Sequence, residues 1–297
     1  GSIGGMATLV GTPPNIVLAG AAKELAGLTI GFAQWMAIGV PLATIGIAGS
    51  WWYLTRLAHR VPTVPAPGSA ALIKNEISKL GPWSRDEVAM GVVFLVVAFG
   101  WIAQPWLIKP FLPAINDTVV AIAGAVVLFL IPSCHPERRF MLDWEAAERL
   151  PWGVLLLFGG GLAIAEAFET SGLAGWLGQI LGGLGTLPPL LVTLGVVALV
   201  IFLTEVTSNT ATATMFMPVM AALGLALGLP PISLMAAAAL ASSCAFMMPV
   251  ATPPNAIVFG TGHVTIAQMA RAGLWLNLAG IVVVTAIATW WAPLLLK

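Results

Sequence analysis

Long apolar stretches, separated by short segments that hold most of the charge, limit the folds that this chain can adopt. A membrane-spanning helix needs roughly 20 largely apolar residues. Clear candidates cover 32–57, 88–107, 119–133, 190–203, 233–250 and 274–296, and less regular ones cover 152–168 and 211–229. Charged residues make up only 8% of the 297 residues, whereas about a quarter of a soluble protein is charged. The sequence therefore predicts an all-α polytopic membrane protein.

The few charged residues give the chain an orientation and a boundary. Lys and Arg gather in 56–85 and 134–150, and cytoplasmic loops carry such an excess. We expect a multi-pass protein of the inner (plasma) membrane with both segments in the cytoplasm. The segment 58–85 is predicted to be a cytoplasmic linker between 1–57, the end of a first repeat, and 86–297, a second repeat. The net charge of zero argues against a nucleic-acid partner.

One short pattern occurs twice, near the start of the chain and near its end. Residues 10–17 read VGTPPNIV, and residues 250–257 read VATPPNAI. Adjacent prolines remove two backbone donors and force the preceding residue out of helical geometry, so each copy should break a helix. Paired breaks in two repeats are typical of a transporter binding site. A single copy would favour a proline kink with the Asn capping the next half-helix, but the duplication favours the binding site.

A dense run of hydroxyl and amide side chains, 204–214, lies between two apolar runs. We expect the two runs to form a re-entrant hairpin with Ser208, Asn209 and Thr210 at its tip. Hydroxyl, amide and freed carbonyl oxygens suit a hard cation such as Na⁺. Because these broken segments contain no Lys or Arg, an anion would be met by bound cations, amide donors and helix amino termini. Binding of the anion would then depend on the cation.

The ionisable side chains give no sign of catalysis. Glu205 is the one acid inside the polar run, and a functional role and a hydrogen-bonded structural role are equal alternatives for it. His59, His135 and His263 are scattered near predicted loops, so the sequence predicts no metal cluster and no nucleophile with a base. We expect a protein that is not an enzyme and that uses no cofactor besides sodium as a coupling ion.

At these motifs the sequence resembles the divalent anion:sodium symporter family. The resemblance is carried by 242–258, which reads SSCAFMMPVATPPNAIV, and by the Ser-Asn-Thr motif at 208–210, and it covers essentially the whole chain. The family includes carriers of succinate, malate, fumarate and citrate, and of sulfate in some branches. The resemblance implies an inverted-repeat fold with discontinuous helices. It also implies a homodimer in the lipid bilayer, in which a transport domain moves like an elevator against a scaffold domain.

The resemblance further implies which residues bind sodium and substrate. A second sodium site would use Thr204, Thr207, Asn209 and Ala251, with the backbone carbonyl as the donor at Thr207 and Ala251. Gly11 would belong to a partial first sodium site. The residues that would meet the substrate carboxylates are Ser208, Asn209, Thr210, Thr252, Pro253, Thr12 and Pro13.

The sequence departs from the family pattern because it contains one Ser-Asn-Thr motif where the family has two. We expect the other hairpin upstream of Gly1, together with half of the first sodium site. The sequence thus predicts part of a secondary active transporter that couples sodium entry to uptake of di- or tricarboxylates. The alternatives are a sodium-independent dicarboxylate exchanger, a sulfate transporter, and, in another class, a non-transporting fragment or structural membrane subunit.

Overall fold

The computed structural model describes residues 1–58, 69–135, 139–150, 152–173, 176 and 187–296. Within these ranges the chain is α-helical and has no β-strand, and one isolated bridge joins Pro132 to Phe140. The prediction of an all-α protein is therefore confirmed. The Pro-rich part of the predicted linker, 59–68, lies outside the described residues, as does Arg138 of the second basic segment.

The described helices are numbered here along the chain. They are α1 (Ser2–Gly5), α2 (Pro13–Ala26), α3 (Phe32–Tyr53), α4 (Ser69–Leu80), α5 (Arg85–Ala103), α6 (Asp117–Leu130), α7 (Trp144–Glu148), α8 (Trp152–Thr170), α9 (Pro189–Thr204), α10 (Asn209–Ala226), α11 (Pro231–Ser242), α12 (Pro253–Gly260), α13 (Ile266–Ala286) and α14 (Ala292–Leu295). Short π-helical turns extend α3, α5 and α13. In the described ranges, four helical segments are long and apolar enough to cross a membrane: Phe32–Ala58, Arg85–Ile108, Asn209–Ala226 and Ile266–Leu295.

The chain divides into two compact units. The smaller unit is His59–Pro151, and the larger one joins Gly1–Ala58 to Trp152–Lys297. In the smaller unit the Asp86 carboxylate, in the first turn of α5, accepts hydrogen bonds from the Ser133 hydroxyl at 2.6 Å and the Cys134 N–H at 2.9 Å. These bonds connect the start of α5 to the segment after α6.

Helix α11 forms the centre of the larger unit. Its residues from Ile232 to Ser242 are all buried, and it packs against α2, α9 and α10. The run of four alanines at 236–239 is fully enclosed, with at most 1% of any of these side chains exposed. Small side chains let neighbouring helices approach closely, which is how membrane helices gain packing energy.

The two predicted helix breaks are present. Helix α1 ends at Gly5 and α2 begins at Pro13, and helix α11 ends at Ser242 and α12 begins at Pro253. In both copies the prolines occupy the first positions of the second helix, where a missing N–H costs nothing. The breaks therefore lie before the prolines, over 6–12 and 243–252.

The prediction of one continuous span over 233–250 is wrong in its second half. Helix α11 stops at Ser242, and the N–H groups of Phe246, Met247 and Met248 bond to the Glu205 side chain instead of to carbonyls one turn earlier. Apolar composition alone made this segment resemble a helix. The side chain that replaces its helical hydrogen bonds comes from a distant part of the sequence.

Candidate functional site

Three helix amino termini meet at one cleft of about 790 Å³ in the larger unit. They are the starts of α2, α10 and α12. The cleft is lined by ten of the eleven predicted sodium and substrate residues: Gly11, Thr12, Pro13, Thr207, Ser208, Asn209, Thr210, Ala251, Thr252 and Pro253. Segments that lie about 240 residues apart in the sequence thus converge on a single site. The binding roles of these residues stay predictions.

Thr204 is the predicted site residue that does not line the cleft. Its side chain is fully buried, and its hydroxyl lies 2.7 Å from Asn209 Oδ1 and 3.0 Å from the Ser242 carbonyl oxygen. We call these three atoms the oxygen cluster. They are neutral oxygens that lie close together next to the turn between α9 and α10. A hard cation prefers this kind of donor set. The Ser242 carbonyl was not predicted, because nothing in the sequence places it beside Thr204.

The Thr207 hydroxyl is used within the turn between α9 and α10. It donates to the Leu203 carbonyl at 2.9 Å and lies 2.7 Å from the Thr212 hydroxyl. The side chain therefore fixes the shape of the turn. The backbone carbonyl stays the predicted group of Thr207 for binding a cation.

The three helix amino termini differ in the donors that they offer. Helices α2 and α12 begin with two prolines each, which have no N–H, and the Thr252 hydroxyl accepts from the Asn255 N–H at 3.4 Å. Helix α10 begins at Asn209, and the Ser208 side chain makes no capping hydrogen bond. Its first N–H groups are thus available to a ligand. All three helix dipoles favour an anion, but only α10 supplies backbone hydrogen bonds as well.

No Asp, Glu, Lys, Arg or His is among the described residues that line the cleft. A divalent anion in this cleft would therefore be stabilised by helix dipoles, hydroxyls, amide groups and any cation bound nearby. Among the described residues there is also no group of three or more His, Cys, Asp or Glu side chains that could hold a metal ion.

Asn15 and Asn255, one in each repeated motif, do not cap the helix that follows. Their side-chain amides reach back to carbonyls of the preceding break: Asn15 donates to Thr8 at 2.8 Å, and Asn255 donates to Ala245 at 3.0 Å. The simple interpretation of each motif as a kink with an Asn cap is therefore wrong. The amide instead satisfies backbone oxygens that the break removes from helical hydrogen bonding.

Glu205 holds the second break. Its side chain is 4% exposed and accepts from the N–H groups of Phe246, Met247 and Met248 and from the Asn277 side chain. The structural alternative for this acid is the one with direct contacts to support it. Asn277, an amide within the long apolar part of α13, was not predicted as a site residue, although a polar side chain in such a segment is itself a signal.

Two glycines leave room for the backbone of the breaks, and neither was predicted from the sequence. A methyl group added at Gly39 of α3 would lie 2.6 Å from the Ala7 carbonyl oxygen, and one added at Gly273 of α13 would lie 2.6 Å from Met247 Cα. Ala7 and Met247 occupy corresponding positions of the two repeats, three residues before Val10 and Val250. Each break therefore packs against a glycine of the long helix that follows it.

Comparison with known proteins gives consistent matches over the full chain. A family model described as the sodium:sulfate symporter transmembrane region matches residues 1–297. The chain is 45% identical over 296 residues to the sodium-dependent dicarboxylate transporter SdcS of Staphylococcus saprophyticus, with 99% of the chain aligned. It is 43% identical over 299 residues to the protein of the same name from Staphylococcus aureus. The chain spans 57% and 58% of the length of these two relatives.

Proposed function

Because the chain belongs to the sodium:sulfate symporter family, we propose that the complete protein couples the entry of Na⁺ to the uptake of a dicarboxylate such as succinate. The observation that carries this proposal is the cleft itself, where three helix amino termini converge and no described lining residue has a charged side chain. The names of the two staphylococcal relatives support a dicarboxylate as the anion.

In this proposal the substrate binds at the start of α10. One carboxylate accepts hydrogen bonds from the first N–H groups of the helix and from the side chains of Ser208, Asn209 and Thr210. The starts of α2 and α12 face the same cleft and place Thr12, Pro13, Thr252 and Pro253 beside the anion. The dipoles of these helices stabilise its charge.

Sodium binds next to the anion and neutralises part of its charge. The second sodium site uses Thr204, Asn209 and the backbone carbonyls of Thr207 and Ala251, and Gly11 contributes to the first. Because Asn209 belongs to the oxygen cluster through Oδ1 and also lines the cleft, cation binding and anion binding share one side chain. This sharing gives the coupling a physical basis, since each ligand stabilises the arrangement that binds the other.

We further propose that the protein works as a homodimer in the bacterial inner membrane. The larger unit, which contains the whole cleft, would be the moving transport domain. The chain would consist of the end of a first repeat, 1–57, a cytoplasmic linker, 58–85, and a second repeat, 86–297. These statements rest on the family resemblance. Measurement of the molar mass of the detergent-solubilised protein, corrected for bound detergent, tests the dimer directly.

The experiment that tests the function is succinate uptake into proteoliposomes containing the complete protein. Uptake is compared with an inward sodium gradient and with choline in its place, for the wild type, Asn209→Ala and the control Asn75→Ala on the exposed surface of α4. We expect sodium-dependent uptake in the wild type and in the control, and none above background with Asn209→Ala.

The same assay separates the alternatives. Uptake that is indifferent to sodium, but accelerated by succinate inside the vesicles, would identify an exchanger. If added sulfate inhibits the uptake more strongly than added succinate does, the protein is a sulfate transporter. Absence of uptake of either anion by folded wild-type protein would identify a structural membrane subunit.

A further inference from the structure

Glu205 is a buried carboxylate whose described hydrogen-bond partners are all donors. Oε1 accepts from the Phe246 and Met247 N–H groups at 2.7 and 2.9 Å and from Asn277 Nδ2 at 2.7 Å, and Oε2 accepts from the Met247 and Met248 N–H groups at 3.1 and 2.9 Å. An ionised carboxylate is an acceptor-only group, so it matches this shell of donors. A neutral carboxylic acid or an amide would point one of its own hydrogens at one of these N–H donors.

Among the described residues, no cationic side chain forms an ion pair with Glu205. Both ion pairs among the described residues, Lys79 with Glu76 and Arg149 with Glu145, are exposed and lie in the smaller unit. A buried charge is costly unless it is paired or well hydrogen-bonded. The four donors meet part of this cost, and a cation bound close by would meet more of it.

The oxygen cluster and the contacts of Glu205 are formed by the same two segments of the chain. Glu205 follows Thr204 in the chain, so their Cα atoms are about 3.8 Å apart. The third oxygen of the cluster belongs to Ser242, which lies four residues before Phe246. Glu205 therefore contacts the segment that follows Ser242, and its own backbone directly follows Thr204. Ser242 and Thr204 each contribute one oxygen to the cluster.

Among the described residues, the N–H groups of the first break have different partners. At the positions that correspond to Phe246 and Met247, the N–H groups of Met6 and Ala7 donate to the carbonyls of Ile3 and Gly4 in local turns. The Met6 carbonyl accepts from the Trp35 indole N–H at 3.1 Å, which is a neutral contact. In the part of the chain that the structure describes, the contact between a carboxylate and the break is therefore seen at the second break.

We propose that Glu205, held by Asn277, is the fixed negative charge that draws Na⁺ to the oxygen cluster and sets the backbone of the second break around it. Glu205 is a positioning residue in this proposal and does not itself coordinate the ion. The inference rests on the proposed sodium coupling. It adds that the affinity of the second site for the cation depends on a charge outside the set of coordinating oxygens.

The test uses the complete protein and measures sodium binding apart from transport. In detergent without substrate, the midpoint of thermal unfolding is compared between NaCl and choline chloride at equal ionic strength, because a ligand that binds only the folded state raises this midpoint. In proteoliposomes, the sodium concentration that gives half-maximal succinate uptake is measured at saturating succinate. The variants are Glu205→Gln, Glu205→Asp and Asn277→Ala, with Glu24→Gln, an exposed acid of α2, as the control.

We expect Glu205→Gln to raise the half-maximal sodium concentration by about tenfold or more and to remove most of the sodium-dependent rise in midpoint, since tenfold corresponds to about 1.4 kcal/mol. Glu205→Asp keeps the charge and should restore much of the sodium response. Glu24→Gln should match the wild type in both assays. A Glu205→Gln protein that unfolds at a lower temperature in both salts, but keeps the full sodium-dependent rise, would overturn the proposal.

Asn277→Ala decides the question if Glu205→Gln yields no folded protein. It removes the side-chain donor that holds the carboxylate in position and leaves the charge. Displacement of the carboxylate should raise the half-maximal sodium concentration by about threefold, and an unchanged value would contradict the inference. Failure of the proposed transport function looks different. Wild-type uptake would then be independent of sodium, whatever the behaviour of these variants in detergent.

Discussion

Asn15 and Asn255 make equivalent hydrogen bonds at the two helix breaks. The Nδ2 of Asn15 donates to carbonyls seven and ten residues earlier, at 2.8 and 3.4 Å, and the Nδ2 of Asn255 donates to carbonyls at the same two separations, both at 3.0 Å. The repeated sequence motif therefore produces a repeated tertiary contact. Each amide closes the loop that precedes its own helix.

We predict that Asn15→Ala destabilises the protein more than Asn255→Ala does. Both substitutions leave two carbonyl oxygens without their donor, but Asn15 is fully buried whereas Asn255 is only partly buried, so water can replace the amide of Asn255. The expected losses are about 2–3 kcal/mol for Asn15 and about 1 kcal/mol for Asn255. The midpoints of thermal unfolding in detergent provide the measurement, with Asn75→Ala on exposed α4 as the control. Equal losses would show that burial does not decide the strength of these contacts.

The glycines that face the breaks give a second prediction. Gly39→Ala places a methyl group 2.6 Å from the Ala7 carbonyl oxygen, whereas Gly49→Ala, on the same helix α3, meets no atom within 4 Å. We expect Gly39→Ala to cost about 1–3 kcal/mol through overpacking and Gly49→Ala to be neutral or slightly stabilising, because alanine favours helices. The yield of folded protein and the unfolding midpoint measure the difference. Indistinguishable behaviour of the two variants would mean that α3 does not pack tightly against the first break.

The glycine on α13 allows the same comparison at the second break. Gly273→Ala would bring a methyl group to 2.6 Å from Met247 Cα, in the segment whose N–H groups contact Glu205. We predict a loss of sodium-dependent uptake in addition to a loss of stability, because the displaced backbone adjoins the proposed second sodium site. Gly195→Ala in α9, where no atom lies within 4 Å, is the matched control. A stability loss with an unchanged sodium response would separate the packing of this break from cation binding.

Much of the site could be predicted because its residues are contiguous in short motifs. The repeated Thr-Pro-Pro-Asn pattern and the Ser-Asn-Thr run identified the lining of the cleft, and the family assignment made from these motifs agrees with the match over 1–297. Helix ends could be predicted where prolines or polar residues mark them. The start of α12 at Pro253 is an example.

The contacts that the sequence could not predict are those between distant residues. Thr204 meets the Ser242 carbonyl 38 residues later, and Glu205 meets Asn277 72 residues later. No local pattern encodes which backbone carbonyl will face a hydroxyl after folding. For the same reason the sequence did not show that the helix starting at Pro231 ends at Ser242, since its termination depends on Glu205 binding the N–H groups that follow.

The oxygen cluster predicts a difference between two substitutions of Thr204. Thr204→Ser keeps the hydroxyl, whereas Thr204→Val keeps the shape and removes an oxygen that lies 2.7 Å from Asn209 Oδ1. We expect the half-maximal sodium concentration for uptake to stay within about twofold of the wild type with Ser and to rise by about tenfold with Val, equivalent to about 1.4 kcal/mol. Sodium titration of succinate uptake measures both. An unchanged titration with Val would remove Thr204 from the sodium site.

Removal of the Thr207 hydroxyl should affect stability and not the sodium titration, although Thr207 lies only three residues from Thr204. Its hydroxyl is already bonded to the Leu203 carbonyl at 2.9 Å and lies 2.7 Å from the Thr212 hydroxyl, so the group proposed to meet sodium is the backbone carbonyl. Thr207→Val should lower the unfolding midpoint, since losing these bonds costs about 1 kcal/mol, and should leave the sodium titration within about twofold of the wild type. A tenfold rise in the half-maximal sodium concentration for Thr207→Val, matching Thr204→Val, would mean that the Thr207 hydroxyl turns towards the cation when it binds. The hydrogen bond to Thr212 would then belong to the sodium-free form alone.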